Sequence, residues 1–141
     1  MKKLLIASLA LVMLSTACNN AKSLTGMKSL LNAKWNLQSI ADYSDVAGLF
    51  NGKMPFLQFD SDAMRVSGNT GCNSLNGPFN LEPKGKLIFG ALATTKMACP
   101  GNGEAVFTNA LNKVTNFSIS DNVLTLLNGN NTVMQLVKSA E

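Results

Sequence analysis

The chain has 141 residues, of which 46% are apolar and 14% are charged, with a formal net charge of +4 and no histidine. This length holds one domain around one core, and without histidine the chain lacks the commonest general base and metal ligand, which disfavours most hydrolytic and metal chemistry. The lysines are scattered and form no basic stripe, so a nucleic-acid partner is not expected either, and we expect no enzyme, no metal site and no cofactor.

Residues 1–17 have the pattern of an export signal. Two lysines precede an eleven-residue apolar stretch broken by one serine, and small residues then lead to Cys18. Eleven residues rise only about 16 Å as a helix, too short for the ~30 Å hydrocarbon core of a bilayer. A cysteine at this place resembles a bacterial lipobox, although Ser15 stands where leucine is usual. We predict a lipoprotein signal peptide over 1–17 and lipidation at Cys18; the alternative is an ordinary signal peptide followed by a chance cysteine.

Residues 18–26 are expected to form the lipidated cysteine and a short polar tether. Asn19 follows the cysteine, whereas bacteria that sort lipoproteins by this residue use aspartate to retain them at the inner membrane. We therefore expect a protein of the cell envelope, anchored by lipid in the outer membrane and facing the periplasm. Without the signal peptide, ten basic and eight acidic residues leave a net charge of +2.

The mature domain, 27–141, begins with a predicted helical turn at 27–31. Residues 41–53 contain two glycines, two aspartates and an Asn-Gly pair, which predicts a loop. Asp60 and Asp62 are assigned to a turn, because the further ligands of a calcium loop do not follow them. Alternating apolar residues predict strands over 34–40, 56–59, 64–67, 78–81, 87–89, 117–119, 123–127 and 132–137.

One apolar helical face predicts the main helix, near 103–115, with Asn102 as its N-cap and Glu104 in its first turn, where the helix dipole favours a carboxylate. Short strands with one good helix late in the order indicate an α+β fold. We expect a curved antiparallel sheet of about seven or eight short strands, forming a partial barrel whose open side is covered by this helix.

An ordered set of short motifs resembles the META (HslJ-like) domain family. The most specific are G-C-N-x-x-x-G at 71–77, T-x-M-x-C at 95–99 and E-x-x-F-x-x-x-L at 104–111, and the match runs from about Leu31 to the end of the chain. The resemblance implies a small α+β domain, similar in topology to lipid-binding secretin pilot proteins, in a lipidated protein connected with heat shock. It implies no mechanism. The motif residues to which we assign a structural role are Gly71, Cys72, Asn73, Gly77, Thr95, Met97, Cys99 and Glu104.

Cys72 and Cys99 are the two thiols that remain once Cys18 is acylated. An even pair in a small exported domain favours a disulfide. Closing a loop of roughly 28 residues stabilises the fold by about 3–4 kcal/mol on the chain-entropy model. Free buried thiols and redox or metal chemistry are the alternatives.

The motif glycines are interpreted as structural. Gly68, Gly71 and Gly77 lack the Lys-Ser or Lys-Thr that a phosphate-binding loop requires, whereas glycine supplies positive φ at turns and bulges. Asn73 is expected to cap or staple its turn through its side chain. Met97 is expected to pack beneath its own segment rather than contact a ligand.

The leading functional hypothesis is a non-catalytic, membrane-anchored envelope lipoprotein that binds an envelope protein partner through an exposed sheet face or edge and acts under stress. The first alternative is a carrier or sensor of a small apolar ligand or lipid, since a partial barrel can enclose a cavity. The second is an inhibitor of envelope proteases, with 41–53 as the long loop that could reach an enzyme. No ligand-binding residue is identified.

Overall fold

The computed structural model describes residues 25–140, and nine antiparallel strands make up most of this part of the chain. Strand bounds agree with the predicted strands to within two residues at most ends, because the alternation of buried and exposed side chains sets them. The strands are β1 (Lys34–Ile40), β2 (Phe56–Asp60), β3 (Arg65–Asn69), β4 (Ser74–Glu82), β5 (Lys86–Phe89), β6 (Ala93–Thr94), β7 (Asn116–Ser120), β8 (Val123–Asn128) and β9 (Asn131–Lys138).

Eight of these strands form a closed barrel in the order β3-β2-β1-β9-β8-β7-β5-β4, because β4 pairs back onto β3. Five residue pairs, from Arg65–Pro78 to Asn69–Ser74, join the closing strands. The short β6 pairs with β4 outside this ring. The curved antiparallel sheet is confirmed, but the expected open side is wrong. Closure depends on the first half of β4, 74–78, of which the sequence pattern predicts only residue 78 to be in a strand.

The helices are few and short. Residues 25–30 are helical, Val46–Leu49 forms one turn inside the predicted loop 41–53, and Pro83–Gly85 is a 3₁₀ turn. The main helix, Gly103–Leu111, ends four residues earlier than predicted, and the Asn102 side chain makes no capping hydrogen bond. Asn102 is therefore the N-cap residue, as predicted, and its carbonyl accepts the Val106 N–H at 3.0 Å, but its side chain does not cap the helix.

The main helix does not cover an open sheet side but packs against β9. Its buried residues are Gly103, Phe107, Ala110 and Leu111. The ring of Phe107 meets that of Phe50 edge-on, with 6.4 Å between centroids. The helix thus fixes the segment that precedes β2 and brings its own N-terminus to the turn between β3 and β4.

Aromatic and aliphatic side chains fill the core. The Phe59 ring lies edge-on to Phe79, 5.2 Å away, and stacks on Phe89 at 6.2 Å. The buried indole of Trp35 donates its Nε1–H to the Leu30 carbonyl at 3.1 Å, which ties the N-terminal helical turn to the barrel. The largest fully buried side chains are Trp35, Phe59, Phe107, Leu30, Leu57, Leu75, Leu87, Leu111, Leu124, Leu126, Met134 and Leu136.

Candidate functional site

Asn73 lies in the turn that joins β3 to β4 and is only 1% exposed. Bonds between its backbone and Thr70 close the turn: the Thr70 N–H donates to the Asn73 carbonyl at 2.8 Å, and the Asn73 N–H donates to Thr70 Oγ1 at 2.9 Å. The Thr70 hydroxyl also lies 3.2 Å from the Asn73 carbonyl oxygen. The Gly71 N–H donates to Asn69 Oδ1 at 2.8 Å. The Gly- and Asn-rich sequence therefore folds as a tight turn whose polar groups are satisfied internally.

Two motif glycines are required for different reasons. Gly71 has φ +88°, and a Cβ there would lie 3.0 Å from the Lys53 carbonyl oxygen, so both backbone conformation and space select glycine. A Cβ on Gly77 would lie 2.8 Å from the Ala91 carbonyl oxygen. Gly77 therefore permits the close approach of the segment before β6, and for this residue the expected turn role is wrong.

The carboxamide of Asn73 holds the neighbouring segment in place. Its Oδ1 accepts hydrogen bonds from the Met97 N–H at 2.8 Å and from the Thr95 hydroxyl at 2.7 Å. Its Nδ2 donates to the Met97 carbonyl at 3.2 Å. One side chain thus binds both backbone groups of Met97, as a neighbouring strand would. The side chain was expected to cap or staple its own turn, but the backbone closes that turn and the carboxamide reaches up to 24 residues along the chain.

Glu104 connects the main helix to the same network. Its Oε2 accepts a bond from Asn73 Nδ2 at 2.8 Å, and its Oε1 lies 3.2 Å from the Thr70 hydroxyl. Thr70 is completely buried. The carboxylate therefore joins the first helical turn to the turn between β3 and β4, which adds a structural role to the favourable position that the sequence suggested.

The structure contains a disulfide between Cys72 and Cys99, whose Cα atoms are 6.1 Å apart. This is the outcome that the even cysteine pair favoured. Because Cys72 directly precedes Asn73, one dipeptide supplies both a covalent and a hydrogen-bonded attachment for residues 97–99. Both attachments therefore join the turn between β3 and β4 to residues 97–99.

Every residue from 95 to 102 is nevertheless exposed. Met97, with 62% of its surface exposed, is the most exposed large apolar side chain of the described residues. Its predicted packing beneath the segment is wrong, because the groups held against Asn73 are its backbone N–H and C=O and the side chain is left in solvent. We call residues 95–102 the braced loop. All its residues are exposed, and it is attached to the turn between β3 and β4 by a disulfide and by hydrogen bonds.

A cleft of about 180 Å³ lies beside the braced loop. Both half-cystines, Phe50, Lys53 and Glu104 line it. Oε2 of that glutamate accepts a hydrogen bond from Asn73 Nδ2, and its Oε1 lies 3.2 Å from the Thr70 hydroxyl, so the carboxylate belongs to the structural network. The cleft offers apolar and polar contacts beside the loop, and its lining pairs no nucleophile with a base.

Asp60 and Asp45 accept backbone hydrogen bonds through their side chains. Asp60 Oδ1 accepts bonds from the N–H groups of Asp62 and Ala63 at 2.8 and 2.9 Å, as the turn interpretation predicted. Asp45 Oδ1 accepts the Gly48 N–H at 2.9 Å and caps the helical turn there.

Two residues of the site were missed in the sequence. Thr70 stands three residues before Asn73, a spacing at which a hydroxyl commonly closes a turn, and this signal could have revealed it. Lys96 is exposed beside Met97, and no sequence pattern pointed to it. The predicted signal peptide, 1–17, and lipidated Cys18 lie outside the described residues. Over residues 25–140, no helix has the length and apolarity needed to cross a membrane.

Comparisons with known proteins identify relatives of this domain. The family model named META domain matches residues 28–141. A protein from Burkholderia xenovorans, solved by NMR, is 26% identical with a TM-score of 0.62, over 81% of this chain and 86% of that one. No curated protein sequence matches.

Two further solved structures are similar in fold. Another NMR structure is 23% identical with a TM-score of 0.56, over 78% of this chain and 92% of that one. A crystal structure of a DUF4847 family protein from Bacteroides vulgatus is 14% identical with a TM-score of 0.58, over 77% and 93% of the two chains. At these identities the likeness concerns the fold alone.

Proposed function

Since the chain belongs to the META domain family, we propose that it is a non-catalytic, membrane-anchored envelope lipoprotein of the HslJ-like kind, which binds another envelope protein under stress. The observation that carries the proposal is the braced loop. Eight consecutive exposed residues are attached to a closed barrel by a disulfide and by the Asn73 carboxamide.

Rigidity is what makes this exposed loop suited to recognition. A flexible loop loses conformational entropy when a partner orders it, so a loop already held in one shape binds with less loss. Apolar side chains that project from a fixed backbone are typical anchors of protein interfaces. Met97 is such a side chain, and the cleft beside the loop gives a partner a concave surface next to it.

A binding role agrees with the chemistry of the site better than catalysis does. The chain has no histidine, and the polar side chains around Asn73 bond to one another and to the backbone of Met97. A catalytic hydroxyl needs a free base beside it, and here the hydroxyl and carboxylate groups are already bound in the network.

The alternative, a carrier or sensor of a small apolar ligand or lipid, has less support. A carrier of this kind needs room inside the barrel. Here the fully buried ring of Phe59 packs on the rings of Phe79 and Phe89.

Photo-cross-linking in the cell tests the proposed binding. A benzophenone amino acid in place of Met97 is expected to give a discrete cross-linked protein adduct in the envelope fraction. Ile88 is the matched control, because it is also a large apolar residue and is 45% exposed on β5. Equal adducts from both positions, or none from Met97, would refute binding through the braced loop.

We propose further that lipid on Cys18 anchors the protein in the outer membrane, with the domain facing the periplasm. Cys18→Ala removes the thiol to which diacylglycerol would be attached, and stable anchoring depends on the acyl chains. The variant is expected to lose the acyl chains, which mass spectrometry of the purified protein detects, and wild type is expected to fractionate with the outer membrane. A wild-type mass without acyl chains would contradict the anchor.

A further inference from the structure

Lys96 and Met97 form a peptide bond whose two flanks are held by one side chain. On one flank, the Thr95 hydroxyl donates to Asn73 Oδ1 at 2.7 Å, and the Thr95 N–H donates to the Ser74 carbonyl at 3.1 Å. On the other, the N–H and C=O of Met97 both bond to Asn73. Two residues further on, the disulfide attaches the chain covalently beside the same asparagine.

The outward side of this segment is free. Across residues 25–140, no group hydrogen-bonds to the backbone of Lys96 or Ala98. The side chain of Lys96 is exposed and has no ion-pair partner in this part of the chain. Endoproteases bind their substrates as an added strand through such unpaired backbone groups, and a pocket of the enzyme takes one side chain.

We propose that the braced loop is a substrate-like inhibitory segment for a serine endoprotease that cleaves after lysine, with Lys96–Met97 as the bond presented to the enzyme. The inference rests on the proposed function, since it names the class of protein that the same loop binds. The sequence had suggested residues 41–53 as the loop that could reach a protease. That segment contains the helical turn Val46–Leu49. The braced loop is instead held on both flanks of one exposed peptide bond.

The chemistry of cleavage explains why such a loop would inhibit rather than be consumed. Attack of the enzyme's serine oxygen on the Lys96 carbonyl carbon forms an acyl-enzyme ester and breaks the C–N bond to Met97. The serine proton passes through the enzyme's base to the leaving amine. In an unbraced peptide that amine diffuses away, and water hydrolyses the ester.

Here the new amine stays at the site. The Met97 nitrogen remains a donor to Asn73 Oδ1, and its chain remains attached through Cys99 to Cys72. An amine held next to the ester has a high effective concentration, so it attacks the ester carbonyl, reforms the Lys96–Met97 bond and returns the serine proton. The intact and cleaved forms therefore interconvert on the enzyme, which stays occupied.

Trypsin is the probe that tests this inference. The full-length protein in mild detergent is incubated with trypsin, hydrolysis of a small chromogenic substrate is followed, and peptide mapping measures cleavage at Lys96–Met97. We expect reversible inhibition and a plateau of intact and cleaved chain. Elastase, whose pocket takes small residues, serves as the mismatched enzyme and should not be inhibited.

The matched variants are Lys96→Ala and Lys113→Ala, both at exposed lysines. Lys96→Ala should weaken inhibition about 100-fold or more, as loss of a central anchor side chain does, while Lys113→Ala should inhibit like wild type. With Cys72→Ser/Cys99→Ser the loop should become an ordinary substrate that is cleaved to completion.

Complete cleavage of the wild-type bond with continued turnover, or full trypsin activity in the presence of excess protein, would overturn the inference. The proposed function is judged separately by the cross-link at Met97. An adduct at that position without trypsin inhibition would leave a binding module for another kind of protein, whereas the absence of an adduct would refute the binding role itself.

Discussion

Asn73→Ala is expected to lower the free energy of unfolding by about 3–4 kcal/mol, which is among the larger effects of a single substitution. The carboxamide satisfies the N–H and C=O of Met97, the Thr95 hydroxyl and one oxygen of Glu104. Removing it takes away these part-buried bonds around the fully buried Thr70 and Asn73, and each buried group left unsatisfied costs about 1–3 kcal/mol. Urea denaturation followed by tryptophan fluorescence measures the change, since Trp35 is the single tryptophan and is buried.

Asn80→Ala is the matched control for this substitution. Asn80 is an exposed asparagine on β4, the strand that follows the turn containing Asn73, and its change should alter stability by less than about 0.5 kcal/mol. If Asn73→Ala cost no more than Asn80→Ala, the carboxamide would not hold the loop.

Removing the disulfide is expected to have a comparable effect. Cys72→Ser/Cys99→Ser should lower the free energy of unfolding by about 3–4 kcal/mol, because the unfolded chain gains the freedom that a 27-residue separation had restricted. Thermal unfolding followed by circular dichroism, together with urea denaturation, measures the loss. Reduced wild-type protein should match the double variant.

The disulfide and Asn73 hold the same segment, so their contributions should be coupled. A triple variant that adds Asn73→Ala to the two serine substitutions is expected to lose less than the sum of the separate losses. Strict additivity would show that the two attachments stabilise independent parts of the fold. A loss below about 1 kcal/mol for the serine variant alone would contradict the chain-entropy account of its stabilisation.

Local patterns in the sequence were sufficient to predict most strands. In β1, Lys34–Ile40, buried Trp35 and Leu37 alternate with more exposed neighbours, and a bulge between Leu37 and Ser39 moves the next buried position to Ile40. The closure of the barrel could not be predicted in this way. It depends on pairing between β3 and the Gly- and Asn-rich start of β4, and such pairing is a non-local property that turn-forming composition conceals.

The site was predictable to the extent that its chemistry is local. The cysteine pair indicated a disulfide, and the G-C-N motif indicated a turn at Asn73, but not that its side chain holds residues 95 and 97. The exposure of Met97 was not predictable, because it depends on which side of the backbone faces Asn73. Apolar character favours burial on average, but a residue whose backbone groups are held inward can leave its side chain in water.

The central claim is that the braced loop is exposed and rigid at the same time, and NMR relaxation of the backbone amides tests it most directly. In ¹⁵N-labelled full-length protein, residues 96–99 should have order parameters near 0.85, like the barrel strands, and the Met97 amide should exchange slowly with solvent because it donates to Asn73. Order parameters below about 0.6 and rapid exchange at Met97 would contradict the account. The loop would then be a flexible connection rather than a surface prepared for a partner.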